Sequence, residues 1–344
     1  MTAGTRSYLV TGGVGFIGSH LCQALLEGRD ERITCNELVI LDDFNDFYDP
    51  RIKEAHLKVL TETARSVGTP LHLYRVDIRD RAALEPIFER HAPGLRQGGI
   101  VHLAARAGVR PSLSEPALYL STNVDGTFNL VDLARRHDIQ KFVFASSSSV
   151  YGDNPDQVPF REDQDVNHPI SPYAATKIMG ENLLYSYVHL YQMQIVALRF
   201  FTVYGPGQRP DLAIHKFTRL ISEGKTIPVF GDGSTRRDYT YIDDIIQGVL
   251  AAVHYDKTLF EVMNLGESQT TSLSELISHL EEAVGKKAII DRQPLQPGDV
   301  PITYACIDKA RNLLNYRPVV PVSQGIPRFV AWYKAHQNAL SATL

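Results

Sequence analysis

Tyr8-Leu9-Val10 runs directly into Thr11-Gly12-Gly13-Val14-Gly15-Phe16-Ile17-Gly18, and an amphipathic stretch follows. Glycines thus stand at 12, 15 and 18, where a first strand hands over to a helix. Gly12 permits a tight turn, Gly15 lets a pyrophosphate approach the backbone, and Gly18 lets helix and strand pack closely. The free N–H groups of the first helical turn then face the phosphates. Phe16 and Ile17, between the last two glycines, belong to the same predicted binding turn. A glycine triplet alone is weak evidence, and its context strengthens it. Leu38-Val39-Ile40-Leu41-Asp42 ends a second apolar strand about 24 residues beyond Gly18, where a carboxylate accepts the adenosine ribose hydroxyls. Asp43 beside it, and the lack of any arginine between there and Arg51, disfavour a 2′-phosphate and favour NAD over NADP.

Working outward, apolar runs rich in β-branched residues recur at 8–10, 38–41, 71–76, 100–104, 141–145 and 194–201, separated by helical periodicity at segments such as 82–91, 118–137 and 173–191. Continuous apolar strands alternating with helices predict an α/β fold, a doubly wound parallel sheet covered on both faces. Ligands of such sheets sit at the carboxyl ends of the strands, so chemistry is expected in the loops after residues 104, 145 and 201. From about residue 204 the texture changes to Gly/Pro-rich loops and shorter elements, first over 204–210 and then at Phe230-Gly231-Asp232-Gly233. Ser272-x-x-Glu275 is a capping box that announces a helix over 273–284. The expected division is a dinucleotide-binding domain over 1–203 and a smaller mixed α/β lobe over 204–344. A segment near 240–266, with the strand-like 260–265, returns to the main sheet.

A chain of 344 residues with net charge −4 and 22% charged residues offers no electrostatic case for nucleic acid or an anionic membrane as a partner. Cys22, Cys35 and Cys306 form neither a disulfide framework nor a metal-binding spacing. The first strand begins within a few residues of Met1, and no apolar run approaches membrane-spanning length. The expectation is a soluble cytoplasmic protein without a metal.

Ser171-Pro172-Tyr173-Ala174-Ala175-Thr176-Lys177 combines a helix N-cap, a proline at the first helical position, and Tyr and Lys four residues apart on one helical face. A neighbouring cation favours the phenolate, which predicts that Tyr173 acts as acid or base well below its ordinary pKa of roughly 10. The strand Lys141-Phe142-Val143-Phe144-Ala145 ends in Ser146-Ser147-Ser148-Ser149-Val150-Tyr151-Gly152. A serine run at the carboxyl end of a buried strand is poorly explained by packing, whereas hydroxyls there bind a substrate hydroxyl or carboxylate. Ser146 and Ser149 can equally cap the local backbone.

With these motifs the chain resembles the extended short-chain dehydrogenase/reductases, specifically the nucleotide-sugar 4-epimerases. The likeness runs through the glycine turn, Asp42, Asp77-Ile78, His102-Leu103-Ala104-Ala105, Asn123, Ser148-Ser149-Val150-Tyr151-Gly152, Tyr173 with Lys177, Arg237-Asp238-Tyr239 and Pro297-Gly298-Asp299. It implies a Rossmann-type fold. It also implies Ser147 as the catalytic hydroxyl, Tyr173 as the base and Lys177 on the nicotinamide ribose. Asp77 and Ile78 are expected against adenine, Ala104 and Ala105 along the cofactor cleft, and Asn123 in the supporting network. Arg237 and Asp299 are expected to hold the nucleotide end of the substrate. Hexose epimerases often carry an Arg where Gln296 stands, which leaves the diphosphate to Arg237 with Arg219 or Lys216.

Dehydratases of the same type place an Asp-Glu pair where Ser148-Ser149 stand, and decarboxylating relatives a Glu at the slot of Ser149. Epimerisation, which needs only reversible oxidation at one carbon, is the remaining reading. Neutral-hexose epimerases typically have Asn at the slot of Thr202. The segments 199–211, 43–49 and Ala107-Gly108-Val109-Arg110 resemble the UDP-glucuronate 4-epimerases instead. An arginine and small hydroxyls suit a carboxylate, so Arg110, Ser148, Ser149, Thr202 and Arg209 join Ser147 as candidate substrate contacts. The alternatives are a UDP-glucose or UDP-N-acetylglucosamine 4-epimerase and a non-catalytic dinucleotide-binding sensor. Helical segments 114–137 and 171–191 have family counterparts that pair between subunits, which implies a homodimer.

Overall fold

The computed structural model describes residues 5–295 and 299–341. Its centre is a seven-stranded parallel sheet built from β1 (Ser7–Thr11), β2 (Glu37–Asp42), β3 (Leu71–Arg75), β4 (Gly99–His102), β5 (Lys141–Ser147), β6 (Gln194–Phe200) and, from much later in the chain, β11 (Phe260–Leu265), in the order β11-β6-β5-β4-β1-β2-β3. The apolar runs alternate in side-chain direction, so each central strand feeds two cores. Tyr8, Val10, Leu38, Ile40, Val143 and Val196 face one, and Leu9, Val39, Leu41, Ile100, Phe142 and Ile195 the other. Every such side chain withdrawn from water contributes about 1.5–3 kcal/mol, which is why these strands read as unbroken apolar runs.

Helices α1 (Phe16–Leu26), α2 (Pro50–Val67) and α9 (Ile242–His254) group on one face, and α3 (Arg81–Leu95), α6 (Gly126–Arg136) and α7 (Pro172–Tyr191) on the other. The chain winds outward from β1 through β2 to β3, then restarts at β4 on the other side of β1. That reversal opens a crevice at the carboxyl ends of β1 and β4, where such sheets bind ligands.

The helical pattern over 118–137 is not one helix. Short helices α4 (Val109–Ser114) and α5 (Pro116–Leu120) lead into a π turn at Ser121–Asp125 before α6 begins. Asn123 in that turn accepts from Arg106 N at 2.8 Å and donates to Arg106 O at 3.0 Å, fastening the helix to the loop after β4. The run at 194–201 also divides, because after β6 the chain bends into β7 (Thr202–Tyr204), which pairs with β10 (Tyr239–Tyr241) away from the main sheet. The remaining elements carry the substrate-side segments. Strand β8 (Thr226–Phe230) pairs with β13 (Ile289–Gln293), and β9 (Arg236–Arg237) with β12 (Thr271–Ser272). Helices α8 (Ala213–Ser222), α10 (Leu273–Val284) and α12 (Val322–Ser341) pack near them, and α11 (Asp308–Leu314) lies against β11. The Ser272/Glu275 capping box is present in full at the start of α10.

Candidate active site

A cavity of about 350 Å³ opens over the carboxyl ends of β1, β2, β4, β5 and β6. At its floor Gly12 holds φ +67°, and a Cβ there would sit 3.0 Å from the backbone N and Cα of Ala104. A Cβ on Gly18 would come within 2.0 Å of Gly12 O, so α1 and the end of β1 approach as only glycine permits. Gly15, Phe16 and Ile17 line the opening with Ala104 and Ala105, and the first turn of α1 carries no acidic residue to repel an anion.

Behind this turn runs a buried relay. Leu103 N and Ala104 N donate to Thr11 Oγ1, which contacts His102 Nδ1 at 2.7 Å, and His102 Nε2 lies 2.9 Å from Thr127 Oγ1. Thr127 gives its own proton to Asn123 O. His102 therefore carries its hydrogen on Nε2 and accepts from Thr11 on Nδ1, and burial, reinforced by Lys177, pushes its pKa down to about 3.

Asp42 ends β2 at the cavity wall and accepts from Phe44 N at 3.0 Å. Its principal partner is one that sequence reasoning missed. Lys53 from α2, itself buried, donates to Asp42 Oδ1 at 3.0 Å and stands 3.7 Å from Asp43. Asp77 lines the same end and pairs with Arg79 at 2.5 Å, which holds its carboxyl below the usual range; Ile78 beside it is buried. An anion-seeking turn, a carboxylate at the end of β2 and apolar walls together fit a dinucleotide. Asn123, buried within the π turn, supports this wall through Arg106 and Thr176 and does not line the cavity.

The opposite wall carries Ser147, Tyr173 and Lys177. Ser171 caps α7 by accepting from Ala174 N at 3.1 Å, and Pro172 opens the helix. Lys177 is buried and donates to Ala145 O at 2.7 Å, with its Nζ 5.9 Å from the Tyr173 ring centroid. Burial lowers the lysine to about 8 and Glu181 opposes the fall. For Tyr173, burial works against the direction expected from the neighbouring lysine. Burial raises the phenol above 10.0, while a hydrogen bond from Ser147 and the charge of Arg209 pull it back. Counting charges in a sequence misses the cost of enclosing one.

The serine run divides by role. Ser146 Oγ donates to Glu181, so it is held structurally. Ser147 lines the cavity and lies 3.2 Å from Ser149 Oγ. Ser148 and Ser149 belong to the tight turn just beyond, outside the lining. Thr202 and Arg209 do line it, with Phe47, Tyr48 and Arg106, which the sequence reading did not single out. Arg209 lies 5.0 Å over the Phe47 ring and forks onto Asp211 at 2.8 and 2.9 Å.

Three other candidates gather elsewhere. Arg110 pairs with Asp299 at 2.7 Å and lies 4.6 Å over Phe230, while Arg237 faces both and donates from Nη1 to Arg236 O at 2.9 Å. They stand apart from the main cavity lining. Arg219 pairs with Glu223 on α8, where Lys216 also sits, and neither lines the cavity. Gln296, Pro297 and Gly298 lie outside the described residues. Among the described residues no group of three or more His, Cys, Asp or Glu side chains can hold a metal, and no helix is long and apolar enough to cross a membrane.

Residues 8–266 match the model of the NAD dependent epimerase/dehydratase family. The chain is 42% identical over 331 residues to a UDP-glucuronate 4-epimerase of Thermodesulfobacterium geofontis, covering 95% of this chain and 96% of that one. The structure of a UDP-glucuronic acid 4-epimerase from Bacillus cereus, in complex with UDP-glucuronic acid and NAD, superposes with a TM-score of 0.86 at 36% identity, over 96% of this chain and 99% of that one. A UDP-glucose 4-epimerase from Thermotoga maritima superposes at 0.84 with 29% identity, over 96% and 100%. A dinucleotide turn, a Ser-Tyr-Lys wall facing it and these likenesses agree: the chain is a member of the NAD-dependent epimerase/dehydratase family.

Proposed function

We propose that the chain is a NAD-dependent 4-epimerase that interconverts UDP-glucuronate and UDP-galacturonate. The observation that carries this reading is that Tyr173 with Ser147, and Arg209 with Thr202, line one cavity continuous with the glycine turn. Bound NAD supplies a reversible acceptor for the hydride at C4 of the sugar. The protein's part is proton handling and orientation. Tyr173 takes the proton of the 4-hydroxyl while Ser147 hydrogen-bonds the same oxygen, and both act in reverse once the 4-keto sugar has turned over. Lys177 fits the nicotinamide ribose. The Arg209 fork exchanges Asp211 for the sugar carboxylate, with Thr202 beside it in the same lining. That grip matters because the oxidised sugar is a β-keto acid, which loses carbon dioxide when its carboxylate bond aligns with the carbonyl π system.

Exposed Leu113, Leu120, Phe128 and Met179 lie on α4, α5, α6 and α7, on the side of the sheet remote from α1. A second copy of the chain is their proposed partner, giving a homodimer.

The test is incubation of the protein with UDP-glucuronate while the anomeric proton signals are followed by NMR. Appearance of UDP-galacturonate without net NADH is expected, together with loss of turnover but retained NAD binding in Tyr173→Phe. Turnover of UDP-glucose or UDP-N-acetylglucosamine with none of the uronate would transfer the assignment to a neutral-sugar epimerase. Inactivity on every nucleotide sugar would leave a dinucleotide sensor.

A further inference from the structure

Tyr173, Lys177 and Glu181 are spaced four residues apart and so share one face of α7. The third of them has no part in the chemistry just described, yet it is buried at 6% exposure and fully committed. Arg199 from β6 forks onto it, Nε to Oε1 at 2.9 Å and Nη2 to Oε2 at 2.7 Å, and Ser146 from β5 donates to Oε1. Arg199 Nη1 continues to Tyr151 Oη at 3.0 Å, which donates to Asn264 on β11 at 2.7 Å. A buried ion pair of this kind is weak evidence for stability, since a well-packed apolar pair in its place often serves as well or better. Its position suggests a different use.

We infer that Glu181 is a positioning residue for the reaction: as the counter-charge one helical turn beyond Lys177, it keeps that lysine cationic behind Tyr173 and thereby sets how readily the phenol gives and takes its proton. Lys177 contacts a carbonyl oxygen and the Phe144 face, neither of which carries a full negative charge. The charged groups around the pair leave Glu181 as the source of that charge. His102 on β4 is neutral, and Tyr119 on α5 meets Tyr173 edge-on. Arg199 pairs with the carboxylate itself, and the positive charge of Arg209 reaches Tyr173. Beyond Arg199 stand Tyr151 and Glu162, the latter facing Lys309. Helix α6 meets α7 through Asp132 further along, at Tyr187.

The inference rests on Tyr173 being the base, and its test is independent of which sugar is bound. In the NAD-loaded protein, the near-ultraviolet phenolate absorbance of Tyr173 is isolated by subtracting the Tyr173→Phe variant, in the native background and again in Glu181→Gln. The midpoint is expected to rise by at least about one pH unit in Glu181→Gln, and kcat/KM at neutral pH to fall about tenfold with KM little changed. Glu181→Asp, which keeps the charge, is expected to recover most of both. Should Glu181→Gln fail to fold, Glu181→Gln combined with Arg199→Gln leaves neither charge unpaired and carries the same expectation. A folded variant whose Tyr173 midpoint does not move overturns the inference. A midpoint that moves in a protein inactive on UDP-glucuronate overturns the substrate assignment and leaves the role of Glu181 standing.

Discussion

Adding one methyl group at Gly18 and at Gly15 separates what the glycine turn does for the fold from what it does for the ligand. At Gly18 a Cβ would meet Gly12 O at 2.0 Å and Gly13 Cα at 2.8 Å, both backbone atoms that cannot rotate away. Ordinary contact begins near 3.4 Å, so α1 and β1 must part by about 1.4 Å for Gly18→Ala to be accommodated. Overpacking of this kind costs about 1–3 kcal/mol, which lowers the Tm of the cofactor-free protein by a few degrees. It also moves the N–H groups of α1 away from the phosphates, weakening NAD by about tenfold or more. At Gly15, which lines the cavity, the added Cβ would lie 3.2 Å from Gly12 O and 3.9 Å from Tyr48 Oη. Gly15→Ala therefore leaves the cofactor-free Tm within about one degree and fills the space where the pyrophosphate approaches, again weakening NAD at least about tenfold. Differential scanning calorimetry of cofactor-stripped protein and calorimetric NAD titration read the two effects separately. An unchanged Tm in Gly18→Ala refutes the close approach, and an equal loss of Tm in Gly15→Ala refutes the assignment of that space to a ligand.

Replacing Arg209 by Ala is expected to raise the fraction of pentose product from UDP-glucuronate or to abolish uronate turnover; an unchanged product profile by NMR sinks the carboxylate role. Glu267 is enclosed with Asp238 and Asp244, and burial pushes its pKa up to about 8, from 4.5. A raised carboxyl adds stability that is complete below the unfolded value and lost as pH rises through the folded one. Thermal stability should therefore decline between about pH 5 and 8, and Glu267→Gln should flatten that decline by about 1 kcal/mol or more, checked by melting curves across the window. Phe128→Glu with Met179→Glu places charge on the exposed apolar face and is expected to give a monomer by light scattering, while a persistent dimer would locate the interface elsewhere.

What the sequence made legible was local. The glycine turn, the capped helix with Tyr173 and Lys177, and Asp42 at a strand end each declare themselves within a few residues, because turn geometry and helical spacing are short-range. Lys53 was not legible, since nothing in an amphipathic helix marks the one lysine that folds back onto a carboxylate 11 residues earlier. The Arg110–Asp299 pair spans 189 residues. The π turn at Ser121–Asp125 leaves the hydrophobic period on either side intact, so the pattern read as one helix. Glu181 looked like an ordinary helical acid until β6 supplied Arg199. The burial that raises the Tyr173 phenol was hidden for a related reason, as enclosure is set by distant segments that a motif does not contain.

The position of β11 at the edge of the sheet has a consequence for how the chain is made. Residues 194–200 can pair with β5 as soon as they are synthesised, but their outer edge stays bare until Phe260–Leu265 arrives, some 60 residues later. An open edge on a nascent sheet invites pairing with the wrong partner. The long excursion through β7 to α9 must therefore be held in check during synthesis, and a fragment cut near residue 203 would carry the dinucleotide turn together with an unprotected strand. The substrate-side segments are thus part of what lets the nucleotide-binding sheet close, and expression of that half alone is expected to yield aggregate.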